Sequence, residues 1–378
     1  MFKKNAPSPF LSLIFLLSFS VSYSNDGAFR AAGNQLIPMY ETDISVKKEI
    51  LTINRISSEK VAITVYYEFF NPKANKELEV GFEAVSPNGD VGKRPVNGHQ
   101  PYITRFTVNM NGQPIPFKVS IVSDSLYYNN GKYKSKTIAQ ANKESDENDM
   151  VDFFYVYHFR AVFKPGINIV IHTYTVDLSS SVSENYSLNY ILTAAGRWAN
   201  RQIDDFTLQI NMGELQDVSI ENTFFSNAAE WQIPATAKSI AIRKKKKDET
   251  DMSEFIIRKG MLVFQKQNFK PVGQLYIRSL NFSFYYGPED YDKYDYLFNY
   301  VRDRLPFSIE DQDHIRMPAN ELSKRILKNL PFARRGYIFK SSELQSYFEK
   351  QPWYKKDEKY EPVLAELTQK EQAWLKKL

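Results

Sequence analysis

Between about residue 35 and residue 286, apolar side chains return at every second position. Val61, Ile63, Val65, Tyr67 and Phe69 alternate with Ala62, Thr64, Tyr66 and Glu68. Successive side chains of an extended chain point to opposite faces, so this period fits only strands with one face buried. The pattern recurs at 102–109, 153–163, 167–176, 186–192, 205–211, 237–243, 254–264 and 274–286. Asn-Gly pairs beginning at Asn88, Asn97, Asn111 and Asn130, and the Pro165-Gly166 step, supply turn signals between the runs. A series of strands without long helical periodicity predicts antiparallel, sandwich-like sheets. At 378 residues, 43% hydrophobic and 15% aromatic, the chain has enough apolar surface to offset its conformational entropy. It has room for about two domains.

One hairpin can be placed in register. Tyr157, Phe159, Ala161 and Phe163 share a face, as do Ile167, Ile169 and Ile171. A three-residue loop at Lys164, Pro165 and Gly166 then sets Phe163 opposite Ile167 and His158 opposite His172, on the face away from the apolar residues. Opposed side chains lie about 5 Å apart at Cβ, so two metal ligands could meet there. No third ligand is indicated and Arg160 projects from the same face, which favours a structural pair.

Catalytic chemistry is sparsely provided for. The chain has no Cys and four His (His99, His158, His172 and His314), which excludes thiol catalysis, disulfides and Cys-based zinc sites. No serine elbow flanked by glycines and no helical zinc-protease pattern is present. Ser45 with Lys48, and Ser57 with Lys60, have serine–lysine spacing but lie in strand or turn contexts. Asp204 and Asp205 are adjacent and would face opposite ways on a strand. Residues 289–299 (EDYDKYDYLFN) lack the third acid and the glycine of a calcium loop and read as a connector. The run 243–247 followed by Asp248, Glu249 and Asp251 reads as a solvated hairpin tip. No cofactor is implied.

The amino terminus reads as an export signal. Lys3 and Lys4 precede the apolar run 10–21 (FLSLIFLLSFSV), and Ser22 and Ser24 stand at the minus-three and minus-one positions of a cut after Ser24. The run is too short to cross a bilayer, which needs about 20 residues, and no other segment is a transmembrane candidate. Cleavage would lower the formal charge from +5 to +3. Residues 319–378 carry 13 Lys or Arg against 8 Asp or Glu, so the basic excess belongs to the tail. An acidic protein face or an anionic envelope polymer suits that excess, and nucleic acid is not expected as a partner.

In the tail, Asn320 is a good N-cap for a helix with Leu322, Ile326, Leu327 and Leu330 on one stripe. Pro331 predicts a kink or a fresh start near Leu330. Phe332, Ala333, Arg334, Arg335, Gly336 and Tyr337 follow. With Gly336 as the left-handed residue past a helix, Phe332 and Tyr337 take the paired positions of a Schellman ending. Arg334 and Arg335 then sit in the last turn, against the negative end of the helix dipole. Ser342 with Gln345, and Thr368 with Glu371, have capping-box spacing. Trp353 and Tyr354 read as plugs of a small core, or, with Lys355 and Lys356, as a sugar- or polymer-binding group.

This stretch resembles the YARHG domain, a small domain of bacterial exported proteins named from its Tyr-Ala-Arg-His-Gly signature. Residues 340–354 (KSSELQSYFEKQPWY) look like the same family's continuation. Phe332 and Arg335 depart from the signature, so a role needing a phenol or imidazole there does not carry over. Residues 25–70 are similar to the exported bacterial proteins of domain-of-unknown-function family 4424, through Asn25-Asp26-Gly27, Ala31-Ala32-Gly33 and 65–71 (VYYEFFN). Segments 163–174 (FKPGINIVIHTY) and 190–208 (YILTAAGRWANRQIDDFTL) extend that likeness, which implies a β-rich envelope protein without assigned chemistry.

The sequence therefore predicts a signal peptide at 1–24, a β-sandwich-like region at 25–288, a linker at 289–318 and a helical domain at 319–378. The expected role is a non-catalytic exported binding module, periplasmic or extracellular, using Arg334, Arg335, Trp353, Tyr354, Lys355 and Lys356. The alternatives are a metal-dependent or other envelope hydrolase centred on His158 and His172, and a carbohydrate or peptidoglycan binder.

Overall fold

A computed structural model describes residues 32–34, 36–39, 42–123, 126–148, 150–240, 250–282, 297–309 and 317–378. The predicted signal peptide, the basic run 243–247 and most of the Tyr-rich stretch 289–299 lie outside the described residues.

Thirteen strands of five or more residues occur among the described residues. They are β1 (Ser45–Arg55), β2 (Lys60–Asn71), β3 (Lys76–Val85), β4 (Ile103–Met110), β5 (Lys118–Val122), β6 (Phe154–Phe163), β7 (Gly166–Asp177), β8 (Glu184–Ile191), β9 (Ile203–Asn211), β10 (Gln216–Glu221), β11 (Met252–Ile257), β12 (Leu262–Phe269) and β13 (Leu275–Leu280). Eight strands form the largest sheet, in the order Trp231–Gln232, β12, β9, β1, β2, β7, β4, Gln113–Pro114. Its end strands are two residues long, which leaves little open edge to pair with another chain. A four-stranded sheet runs Ile37–Pro38, β3, β6, β5, and a seven-stranded sheet contains β8, β13, β10 and β11. These thirteen strands pair with one another antiparallel except for β1 with β9, where Val46 to Asn54 run parallel to Ile203 to Asn211, and the short strand Ala32–Asn34 runs parallel to β8.

The inner faces of all three sheets share one apolar cluster. On β2 the buried apolar residues are Val61, Ile63, Val65, Tyr67 and Phe69, as the alternation requires. The Asn97-Gly98, Asn111-Gly112 and Asn130-Gly131 turns have positive φ at both residues, the condition that selects this dipeptide.

The 153–176 hairpin does not form. β6 pairs with β3 and β5 in the four-stranded sheet, whereas β7 pairs with β2 and β4 in the eight-stranded one. Residues 164–166 carry the chain from one layer to the other. The even positions of β7 (Asn168, Val170, His172, Tyr174 and Val176) face inward, while Ile167 and Ile169 are exposed. Buried Asn168 explains the choice of face. It accepts from the Lys164 amide at 3.0 Å and donates to the Lys164 and Gly166 carbonyls at 2.7 and 3.2 Å, satisfying the backbone of the crossing. The segment 254–264 likewise divides, β11 and β12 entering different sheets on either side of Gly260.

The polar segment between β5 and β6 contains a helix. Helix α1 (Ile138–Glu147) opens with a Thr137–Gln140 capping box, and the small hairpin Tyr128–Asn129 with Lys132–Tyr133 precedes it. The carboxy-terminal region holds α2 (Glu321–Arg334), α3 (Ser342–Glu349) and α4 (Gln369–Lys377). Among the described residues, no helix is long and apolar enough to cross a membrane.

Asn320 caps α2 as expected, accepting from the Ser323 amide at 2.9 Å, and Ile326, Leu327 and Leu330 are fully buried. No fresh start occurs at Pro331, since α2 runs on to Arg334. Proline removes the N–H that would bond to the Leu327 carbonyl. The Trp374 indole of α4 donates to that carbonyl at 3.2 Å in its place. The expected Ser342–Gln345 box is absent. Ser341 occupies the N-cap without a side-chain bond, and Gln345 accepts from the Phe339 amide instead.

Candidate functional site

The ending of α2 has the two bonds of a Schellman motif, Tyr337 N to Phe332 O at 3.1 Å and Gly336 N to Ala333 O at 2.9 Å. Gly336 has φ +90°. A Cβ there would come within 3.0 Å of the Lys355 carbonyl and the Arg258 guanidinium. The glycine is thus needed for close approach as well as for its dihedral. Arg258, at the end of β11, reaches Asp357 at 3.3 Å, while Lys355 donates to Ala235 and Ala237 carbonyls at 2.6 and 3.0 Å. These contacts hold the helical unit against the sandwich.

Leu215 and Ile256 of the sandwich enter the apolar cluster of the helical unit, beside Phe298, Leu305, Phe307, Ile326, Phe348 and Trp374. Leu215 adopts φ 55°, a left-handed conformation that is costly for a branched residue and persists where the surroundings over-determine it. Its amide donates to the Arg258 carbonyl at 2.9 Å and its carbonyl accepts from Arg334 at 3.2 Å.

At the centre of the junction lies Glu371, 1% exposed. It is the N3 residue of the α4 capping box, which forms as the sequence predicts. Arg335 binds it through both nitrogens at 2.6 and 2.8 Å, and Arg334 binds at 3.0 Å. Burial by itself would raise the Glu371 pKa. The Arg335 hydrogen bonds, the Arg334 charge and the Thr368 amide outweigh it and hold the carboxyl below its ordinary value.

Above this cluster a cleft of about 640 Å³ opens between the two units. The β1 end contributes Arg55, Ser57 and Ser58, the turn after β9 contributes Glu214, the start of β10 contributes Gln216, and the helical unit contributes Arg334, Lys370 and Glu371. Arg55 is fixed by bonds to Gln216 at 2.8 Å and to the Ser57 and Ser58 carbonyls, and its guanidinium stacks 4.5 Å from the Tyr186 ring centre. The lining combines fixed cations, the carboxylates of Glu214 and Glu371, hydroxyl and amide groups, and the apolar side chains of Ile56, Met212, Leu215 and Ile309, a set able to hold a polar ligand that also carries apolar surface.

Of the residues that the sequence nominates for binding, Arg334 lies at the floor of this cleft. Trp353 and Tyr354 are 5% and 6% exposed, so neither presents a ring to a ligand. Their polar ends are used internally, Trp353 bonding the Leu305 carbonyl at 2.8 Å and Tyr354 the Tyr337 carbonyl at 2.6 Å. Lys356 is exposed and pairs with Glu349 at 2.5 Å. His158 and His172 are not brought together. His172 is buried in the core among Tyr67, Phe82, Phe106 and Tyr174, and His158 is on the outer face of the other layer. A shared metal site between them is therefore ruled out by the strand pairing. No spacing in the sequence reveals Arg55 or Gln216, and the Thr368–Glu371 capping-box spacing marks Glu371 without its arginine partners.

Residues 317–378 match the YARHG domain. No curated protein matches the chain. Among solved structures, a Legionella pneumophila protein described provisionally as nutrient binding is 14% identical, with 93% of this chain and 99% of that chain covered and a TM-score of 0.47. An M1 zinc metallopeptidase of Deinococcus radiodurans is 7% identical (64% of this chain, 43% of that one, TM-score 0.24). An aminopeptidase N family protein of Idiomarina loihiensis is 10% identical (62% and 29%, TM-score 0.23). The chain spans less than half the length of either peptidase.

Proposed function

We propose that this is an exported cell-envelope binding protein whose ligand, an anionic or sugar-containing envelope polymer, enters the cleft between the sandwich and the YARHG domain. The observation that carries the reading is the lining of that cleft, where Arg55 and Arg334 are held in place by their own hydrogen bonds before any ligand arrives. Cations fixed in this way bind with less ordering cost than free surface lysines. In this reading residues 1–24 are the signal peptide, 25–288 the sandwich, 289–318 the connection and 319–378 the domain that closes the cleft. The connection is more than a tether, because Phe298, Leu305, Phe307 and Ile309 pack into the domain's core. The sandwich, in the same reading, belongs with domain-of-unknown-function family 4424.

Co-sedimentation of the secreted chain with insoluble peptidoglycan tests the proposal. Lys370, exposed at the cleft rim, should weaken retention several-fold as Lys370→Glu, with a salt dependence that the variant reduces. Retention that is absent in the parent chain, or identical in the variant, would reject the cleft as the binding site. Amino-terminal sequencing of the secreted chain checks export, with Asn25 expected as the first residue.

A further inference from the structure

A second constellation lies on the outer face of the four-stranded sheet, where polar side chains of three neighbouring strands meet. His158 of β6 is 8% exposed. Its Nδ1 lies 2.7 Å from Glu79 Oε1 on β3, and its Nε2 lies 3.1 Å from Ser120 Oγ on β5. Glu79 is itself oriented by the Tyr133 hydroxyl at 3.2 Å, with Arg160 at 3.6 Å from its other oxygen. The Tyr133 ring stacks on the imidazole with centres 3.9 Å apart, shielding one face of it from water.

We propose that Ser120, His158 and Glu79 are a nucleophile, a general base and its positioning residue, and that the outer face of this sheet hydrolyses acyl esters. The arrangement meets the geometric conditions for such a relay: a nucleophile within hydrogen-bond reach of the base, and the base held through its second nitrogen by a carboxylate. Burial, the largest influence on His158, brings its pKa below the ordinary imidazole value despite Glu79, so the ring is a neutral acceptor at pH 7. Ser120 Oγ attacks the ester carbonyl carbon while its proton passes to His158 Nε2. The tetrahedral oxyanion collapses, the carbon–oxygen bond to the alcohol breaks, and the alcohol leaves with the proton from His158. Water then adds to the acyl-serine, giving its proton to His158. The acid departs, and that proton returns to Ser120 Oγ, so one water is consumed per ester. Lys118 stands directly across from His158 in the strand register and bears on its charge. It is the cation available to the oxyanion. With exposed Arg160 on the same face, it favours an ester that carries a negative charge.

The test is labelling of the full chain with a fluorophosphonate probe, followed by mass spectrometry, together with hydrolysis of p-nitrophenyl acetate and its carboxylated analogue. The parent chain should be labelled at Ser120, and Ser120→Ala should lose labelling and fall to the uncatalysed rate. His158→Gln should lose at least 100-fold, and the rate should rise with pH through a midpoint below 6.5. Glu79→Gln should shift that midpoint, an effect that loss of packing alone would not produce. The carboxylated ester should be the better substrate, and equal rates for the two esters would overturn the charge preference. A parent chain that is folded by circular dichroism yet unlabelled and inactive would overturn the proposal and leave the three residues as a hydrogen-bonded brace between strands.

Discussion

Gly336→Ala offers a direct measure of how tightly the helical unit is docked. Any L residue at φ +90° carries left-handed strain of about 1–2 kcal/mol. At this position the new methyl also meets the Lys355 carbonyl and the Arg258 guanidinium. Making room displaces two groups that hold the junction, an overpacking cost of about 1–3 kcal/mol. The total should therefore be about 2–5 kcal/mol. Gly166→Ala supplies the control, because Gly166 has φ +85° but nothing within 4 Å of its virtual Cβ. It should show the strain alone. Both substitutions lower the entropy of the unfolded chain alike, so the difference between them isolates the close approach. Urea unfolding followed by fluorescence reads both units, since Trp198 and Trp231 lie in the sandwich and Trp353 and Trp374 in the helical unit. Equal costs for the two variants, within about 0.5 kcal/mol, would refute the packing described for Gly336.

Glu371→Gln should destabilise the chain by about 3–5 kcal/mol, because the buried Arg334 guanidinium and the half-buried Arg335 guanidinium lose their counter-charge, and chemical denaturation at pH 7 measures it. In the parent chain this carboxyl's pKa is depressed, so its contribution is present above about pH 4.5 and is lost as pH falls through the folded value. His172 acts in the same direction, over a higher pH range. Burial pushes its pKa down to about 3, below the unfolded value, so protonation favours unfolding as pH drops below 6.5. The loss should reach about 2 kcal/mol by pH 5, and a His172→Leu variant should lack that component of the pH dependence. Trp374→Phe should cost about 1–3 kcal/mol by orphaning the Leu327 carbonyl. Adding Pro331→Ala, which restores the backbone donor, should recover part of that loss in a double-mutant cycle.

The strands were legible because one buried face imposes period two, and β2 shows it without exception from Val61 to Phe69. The helix ending at Gly336 and the Thr368 capping box were legible because both are local, set by residues within one turn. Partnership between strands was not. The apolar run Ile167, Ile169 and Ile171 suggested the wrong face of β7, since the deciding residue is Asn168, whose bonds close only when the chain crosses between layers. For the same reason no spacing points to Ser120 beside His158, or to Arg334 beside Leu215. Each pair is joined by sheet order or by docking between units, and neither leaves a spacing to read. Trp353 and Tyr354 look alike as exposed aromatics or as plugs until the carbonyls they bond are known.

The parallel pairing of β1 with β9 sets the tempo of assembly. Residues 46–54 leave the ribosome 157 positions ahead of their partners at 203–211. Closing a loop of that length costs on the order of 4 kcal/mol in chain entropy before any bond is made. During that interval the margin of β1 that β9 covers in the finished sheet has no partner, and another nascent chain could add a strand to it. The two-residue strands that later trim the finished sheet cannot help, because they guard different margins. Chains stalled before residue 211 should consequently be far more prone to aggregation than the completed protein.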